Sequence, residues 1–319
     1  MGVRILLTGV SGFAGAALLP RLLEQGHEVR ALARDGARVR QALSHSAVGA
    51  ADFELVIGDT LAGAGVSGAM RDIEIAYYLI HSMEPSTVGD GEPFPARERA
   101  SADMFARAAR AAGVRRVVYL GGLLPHEGAP SAHLSSRHAV ERILLEAIPD
   151  SVVLRASIVI GARSRSFRFL VRLVERLPVL ALPAWRDYRT QPIDERDVVE
   201  MLASCASVAS VGGRSLDVGG PDVLSFGEMI ERIAELMMLP RPSVGLGVTA
   251  TPLAARLAAA LTDEKPELVL ALMEGLTGDL LPAEHRRACN ALNVELHSFD
   301  SAVEHALYEW EKVEPLAVR

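Results

Sequence analysis

The sequence predicts an α/β chain: a doubly wound parallel sheet that carries a smaller, mainly helical lobe toward its C-terminal end. Three observations predict it. Residues 5–19 pass from a short apolar strand through Gly9, Gly12 and Gly15 into an apolar helix. The first half of the chain alternates short apolar runs with longer helical stretches, the pattern of a parallel sheet covered on both faces. From Gly161 that rhythm breaks, and Pro178, Pro183 and Pro192 interrupt the chain.

Taken in order, residues 3–7 form the first strand and residues 12–25 the first helix, which Gly26 stops. Residues 27–33 are the second strand. The polar stretch 34–45 carries a helix, and 53–57 is a third strand that ends in Gly58-Asp59. Residues 73–80 form a fourth, largely apolar strand, the Pro/Gly-rich stretch 84–95 a loop, and 96–112 a long helix closed by Gly113. The apolar side of that helix reads as core packing, with pairing to a second copy as the alternative, so the chain is expected as a monomer or a homodimer. A fifth strand at 117–120 runs into Gly121-Gly122, and a helix over 135–147 leads to a strand at 151–156. Residues 194–206 are helical again, 215–218 form a short strand, and the remainder is mainly helical.

The 319 residues suffice for one large domain and a smaller lobe. Aromatic residues make up only 5%, so the core must come mainly from Ala, Leu, Val and Ile. A net charge of −7 argues against a general nucleic-acid binder, which shows a basic footprint. Cys205 and Cys289 are too few for a disulfide framework, and no Cys/His cluster has metal-ligand spacing, so no metal site is expected. The apolar stretch 249–261 falls short of the roughly 18 residues that span a bilayer, and Arg256 interrupts it. With no leader-like segment at the N-terminus, a cytoplasmic location is expected.

The glycine run carries the chemistry. A strand, a glycine turn and a helix N-terminus place backbone N–H groups and a positive dipole end where a pyrophosphate can sit. Gly9 allows the tight turn, Gly12 lets the backbone approach the phosphates, and Gly15 lets the helix pack close to the strand. Ser11, Phe13 and Ala14 supply further amides. The expected ligand is therefore an adenine dinucleotide on a Rossmann-type sheet. Residues 1–160, with 190–220 packing back on them, form its binding domain, and residues 161–189 and 221–319 form a substrate lobe.

At the end of the second strand an acidic residue favours NAD, and a basic one accepts the 2′-phosphate of NADP. Here the strand end is Arg34, with Arg38 one turn on, which points to NADP; NAD remains possible if Asp35 takes the ribose. Asp59 stands where an adenine amino group would lie, or simply closes a turn. His81 follows the fourth strand, at the sheet edge where dinucleotides lie, and its neighbours Leu79 and Ile80 would supply backbone to the cofactor. His81 or its neighbour Ser82 is a candidate to face the nicotinamide or the diphosphate.

By these residues the chain resembles an extended or atypical short-chain dehydrogenase/reductase. The resemblance rests on the Thr8–Gly15 motif TGVSGFAG, on Gly58-Asp59, on 191–193 with Asp197-Val198, and on the run 216–221. The strings at 77–83 and 118–123 are similar to a bacterial branch near the nitrogen-metabolite-regulator-like proteins and the short-chain-dehydrogenase-like accessory subunit of respiratory complex I. The resemblance implies an NAD(P) cofactor, a small-molecule substrate and a Tyr-x-x-x-Lys pair preceded by a Ser. In this sequence the Ser position falls on Gly121-Gly122, and the pair reads His133-Leu134-Ser135-Ser136-Arg137. Two readings stay open. In one, His133 carries the proton and Arg137 supplies the fixed charge near the ribose. In the other, the helix keeps only a structural role.

In the lobe, Arg163, Arg165, Arg168, Arg172 and Arg176 cluster; the last three share a helical stripe opposite an apolar face of Phe167, Leu170, Val171 and Val174. They either hold an anionic substrate group or form a solvated face with partners such as Glu175. Trp185, Arg186, Asp187, Tyr188 and Arg189 are candidate pocket walls. The leading expectation is an NADP(H)-dependent oxidoreductase acting on a small organic carbonyl, with His81 or His133 as proton carrier. A non-catalytic NADP(H)-binding sensor or assembly factor and a nucleotide-sugar-type epimerase or dehydratase are the alternatives.

Overall fold

A computed structural model describes residues 2–80, 94–246, 276 and 278–316. Seven strands form the central sheet: β1 (Arg4–Thr8), β2 (Glu28–Ala33), β3 (Glu54–Ile57), β4 (Ile75–Tyr78), β5 (Arg116–Gly122), β6 (Val152–Ala156) and β11 (Arg214–Val218). Their spatial order is β11-β6-β5-β4-β1-β2-β3, and every pairing is parallel. The chain winds outward from β1 through β2 to β3, then returns to the other side of β1 with β4. That reversal opens a crevice at the carboxyl ends of β1 and β4, where doubly wound sheets take their ligands.

Burial on both faces explains the near-continuous apolar character of β1. Ile5 and Leu7 point into one core, and Leu6 into the other; all three are fully buried. The first core lies under α1 (Phe13–Glu24), α7 (Glu195–Ser207) and α9 (His285–Leu292), through residues such as Leu18, Met201 and Leu292. The second lies under α3 (Val66–Ala69), α4 (Phe94–Ala111) and α5 (Ala132–Ala147), through Met70, Phe105 and Leu144. A third core joins α6 (Arg165–Arg176), α8 (Phe226–Leu236) and α10 (Phe299–Glu311) around Phe167, Ile230 and Trp310. Short strands connect the parts. β7 (Val159–Ile160) pairs with β10 (Ile193–Asp194), β8 (Leu180–Leu182) with β13 (Ser243–Gly245), and β9 (Arg189–Thr190) with β12 (Leu224–Ser225). Among the described residues no helix is long and apolar enough to cross a membrane.

Several boundaries differ from the sequence expectation. Helix α2 is only Gly36–Ala42, because Asp35 is its N-cap and accepts from the amides of Ala37 and Arg38. Helix α4 begins at Phe94, inside the stretch expected as a loop; Pro95 falls in its first turn, where a missing N–H costs nothing. Helix α5 begins at Ala132 rather than 135, because Ser131 caps it by accepting from the amide of Leu134 at 3.3 Å. Strand β5 continues through Gly121 and Gly122. The expected loop at 84–93 lies outside the described residues.

Candidate functional site

The glycine turn is shaped by close approach. Gly9 adopts φ +73°, and a β-carbon there would lie 2.3 Å from the carbonyl oxygen of Leu79. The Gly12 amide donates to the Gly9 carbonyl at 2.8 Å and opens α1 as its N-cap, with no side-chain cap and no acidic residue in the first turn. The first amides of α1 are thus left to an outside acceptor. Gly15 stands beneath the turn: its β-carbon would lie 2.3 Å from the Gly9 oxygen, so it does not line the cleft and instead lets α1 sit directly on β1. Thr8 staples the switch point, its hydroxyl donating to the Tyr77 carbonyl at 2.8 Å and accepting from the Leu79 amide at 3.2 Å.

From this turn a cleft of about 560 Å³ runs across the sheet edge. Gly9, Ser11, Gly12, Phe13 and Ala14 form its floor. Arg34 and Arg38 border one end together with Asp59, while Leu79 and Ile80 border the middle. Arg34 is exposed there, and no hydrogen bond or ion pair holds it among the described residues. Asp35 is engaged in capping. Asp59 uses one carboxylate oxygen to accept from the Leu61 amide at 2.7 Å, so it closes a turn and borders the cleft at once. His81 and Ser82 lie outside the described residues.

The far end of the cleft is formed by α5. His133 and Arg137, four residues apart, lie on one face of that helix, and both border the cleft. The Phe94 ring stacks on the His133 imidazole, with ring centres 6.0 Å apart. Arg137 donates to the Leu120 carbonyl at 3.2 Å. A β-carbon on Gly122 would meet the Leu134 side chain at 3.0 Å and Arg137 Cδ at 3.5 Å, so Leu134 and Arg137 occupy the room that a Ser at this position would need. Ser135 and Ser136 turn away from the cleft: Ser135 donates to the Pro130 carbonyl at 3.3 Å, and buried Ser136 donates to Glu98 at 2.6 Å. No tyrosine replaces the missing one among the described residues of the cleft. Tyr119, on β5, is buried and its hydroxyl is pushed up to about 12 by that burial, against the opposing pull of Arg137.

A second cavity, of about 410 Å³, opens off the same end. His133, Arg137, Ala156, Ser157 and Ser166 border both spaces, so the two meet there. Away from the junction the cavity wall is apolar: Phe169 and Leu173 from α6, Leu180 and Leu182 from β8, Phe226 and Ile230 from α8. Sequence reasoning missed this cavity, because its walls come from three elements whose apolar residues read equally well as core.

The lobe arginines divide. Arg163 and Arg165 border the dinucleotide-sized cleft. Arg168 and Arg172 do not border either space: both pair with Glu314, their guanidinium carbons lie 4.2 and 5.0 Å from the Trp310 ring centre, and Arg172 also pairs with Glu175. Their stripe clamps α6 to the C-terminal end of α10. Of residues 185–189 only Trp185 lines the cavity; Arg186 reaches Glu231 and Ser243, and Arg189 pairs with Asp279 at 2.6 Å. Sequence reasoning also missed Arg97, in the first turn of α4. It borders the cleft, and its Nε is a buried nitrogen without a hydrogen-bond partner.

Residues 9–157 match the NAD(P)H-binding family. These residues, just under half of the chain, form an NAD(P)-binding domain of the Rossmann type. Three curated relatives are similar to parts of this chain. A UDP-glucose 4-epimerase of Mycolicibacterium smegmatis is 34% identical over 137 residues, 42% of this chain and 43% of its own length. A mitochondrial NADH dehydrogenase 1 alpha subcomplex subunit 9 of Arabidopsis thaliana is 25% identical over 126 residues, 39% of this chain and 31% of that one. A ceramide reductase of Caulobacter vibrioides is 28% identical over 180 residues, 55% of this chain and 52% of that one. The NAD(P)-binding chain thus matches only about a third to a half of each relative's length. The crystal structure of a Bacillus cereus UDP-glucuronic acid 4-epimerase with UDP-glucuronic acid and NAD superimposes on 97% of this chain and 99% of its own, with a TM-score of 0.72 at 15% identity. At that identity the likeness is one of fold.

Proposed function

We propose that this chain is an NADP(H)-dependent oxidoreductase of the atypical short-chain type, acting on an organic carbonyl compound. The observation that carries the reading is the meeting of cleft and cavity at His133 and Arg137. The cleft suits an adenine dinucleotide. Gly9 at its floor leaves no room for a side chain against the Leu79 backbone, the first amides of α1 await an acceptor, and Arg97, whose Nε has no hydrogen-bond partner, borders the same space. Arg34 at the strand end, with Arg38 beside it, supports NADP over NAD, because a guanidinium fork matches a phosphate.

A bound nicotinamide supplies hydride exchange with a substrate carbon. His133 holds the proton that moves to or from the substrate oxygen; imidazole is the side chain that ordinarily changes charge near neutral pH. Arg137 fixes a positive charge one helical turn away, which stabilises negative charge on that oxygen. Ser157, the residue after β6, has its hydroxyl 2.5 Å from that of Thr190; it borders the junction and orients the oxygen by hydrogen bonding.

A nucleotide-sugar epimerase is the second reading, favoured by the mycobacterial relative. Two observations oppose it: the cavity beyond the junction is walled by aliphatic and aromatic side chains, and the tyrosine used as base in such reactions is replaced by His133. The test is NADPH oxidation across a panel of aldehydes and ketones, with NADPH affinity measured in parallel. Turnover that disappears in His133→Phe while NADPH affinity holds supports the oxidoreductase reading. Tight NADPH binding without turnover of any carbonyl compound overturns it.

A further inference from the structure

We infer that the second cavity takes an aliphatic-chain carbonyl or alcohol, with its oxygenated end at the junction and its chain running between α6 and α8 toward the surface. The assignment of the reacting end rests on the oxidoreductase reading; the assignment of the chain rests on the cavity alone.

The polar groups of this cavity are not scattered. Ser131, His133, Arg137, Ser157 and Ser166 all belong to the N-terminal half of α5, the end of β6 or the start of α6, that is, to the side that meets the cleft. From there to the opposite side the wall is Phe169, Leu173, Leu180, Leu182 and Ile230. A space with one polar end and one long apolar end suits an amphiphile with a single oxygenated head. It does not suit a nucleotide sugar, whose many hydroxyls and phosphates would lose their hydration against Leu and Phe without gaining partners.

One further observation points the same way. Among the described residues the apolar end reaches the surface: Val179 and Leu246 line the cavity and are 43% and 41% exposed. Residues of this type at a rim give an alkyl chain a continuous apolar path from the surface.

The expected chemistry is a reversible carbonyl–alcohol exchange on a chain-bearing substrate. In the reducing direction the carbonyl carbon gains a hydride from NADPH and the oxygen a proton by way of His133, leaving NADP⁺ and the alcohol. In the oxidising direction the same atoms leave.

Binding is read without turnover. Straight-chain primary alcohols from butanol to tetradecanol are titrated into the full chain, with and without saturating NADPH, by calorimetry and by tryptophan fluorescence. Affinity is expected to rise about threefold to fourfold per added methylene, until the chain fills the cavity, and then to level off. Val179→Glu places a charge at an exposed rim position without disturbing the core. It is expected to weaken dodecanol binding at least tenfold while leaving NADPH affinity and the unfolding midpoint unchanged. Affinity independent of chain length, or UDP-glucose competing with dodecanol, overturns the inference. Chain-dependent binding without turnover of any long-chain aldehyde leaves the cavity assignment standing and removes the oxidoreductase reading. Turnover of short carbonyl compounds without chain dependence does the reverse.

Discussion

His133 and Arg137 stand one helical turn apart on α5, and each faces both the dinucleotide cleft and the apolar cavity. No other pair of titratable side chains among the described residues borders both spaces. The spacing of the Tyr-x-x-x-Lys pair is kept while its residue types differ. Loss of a positioned proton carrier costs roughly 10²–10⁴-fold in rate. His133→Gln is accordingly expected to lower kcat by at least a hundredfold with NADPH affinity unchanged, while Arg137→Met lowers kcat and weakens NADPH together. Stopped-flow turnover and calorimetry on the same preparations check both. A His133 variant that keeps wild-type kcat removes the residue from the reaction.

Arg34 is exposed at the cleft with no partner to release among the described residues, so an approaching phosphate meets an available guanidinium. A hydrogen bond to a charged group contributes about 1.5–3 kcal/mol, or roughly tenfold to a hundredfold in affinity. Arg34→Ala is expected to weaken NADPH by that factor and leave NADH nearly unaffected. Equal losses for both nucleotides would place Arg34 elsewhere than at the 2′-phosphate.

Much of this was legible in the residues. The glycine turn could be read because strand, Gly9, Gly12 and helix follow one another within a single local segment, and the strands of the sheet could be read because their apolar runs are short and punctuated. Helix starts were less legible. Ser131, Ser135 and Ser136 are all plausible caps for α5, and only Ser131 accepts the Leu134 amide. The arginine stripe misled for a different reason. Its partners, Glu314 and Trp310, lie about 140 residues downstream, on and just beyond α10, and nothing local announces them. The cavity was invisible for the same cause, since Leu173, Leu182 and Ile230 meet only in three dimensions.

Gly9 gives a test of the turn that is independent of catalysis. Its φ of +73° disfavours any side chain, and its β-carbon would press to 2.3 Å from the Leu79 oxygen, a backbone atom that cannot swing aside. Left-handed strain and overpacking each cost on the order of 1–3 kcal/mol. Gly9→Ala is expected to lower the unfolding free energy by roughly 2–5 kcal/mol and to abolish NADPH binding at concentrations that saturate the wild type. Urea unfolding with and without NADPH checks it: wild type gains stability from the nucleotide, and the variant gains none. An equal gain in both would show that the nucleotide does not use this turn.

Glu195, at the first position of α7, makes stability depend on pH. It is largely enclosed, and a β-carbon on Gly161 would lie 2.2 Å from its Oε2 and 2.8 Å from the Phe13 ring of the cofactor turn. Burial first, and then the neighbouring Asp194, push its carboxyl up to about 7, against the opposing effect of Arg163. In the unfolded chain it titrates near 4.3. The folded state therefore holds the proton more tightly, and the associated stability is full below the unfolded value and lost as the pH rises through about 7. The loss amounts to roughly 1–3 kcal/mol between pH 4.5 and 8. Glu195→Gln mimics the protonated form and is expected to match the wild type below about pH 4 and exceed it at pH 8 in urea midpoint. Because Arg163 also borders the cleft, its charge is shared between Glu195 and the cofactor site, so the wild-type gain in stability from NADPH is expected to change between pH 5 and 8 more than that of the variant. Parallel pH profiles for the two proteins would leave Glu195 without a part in that balance.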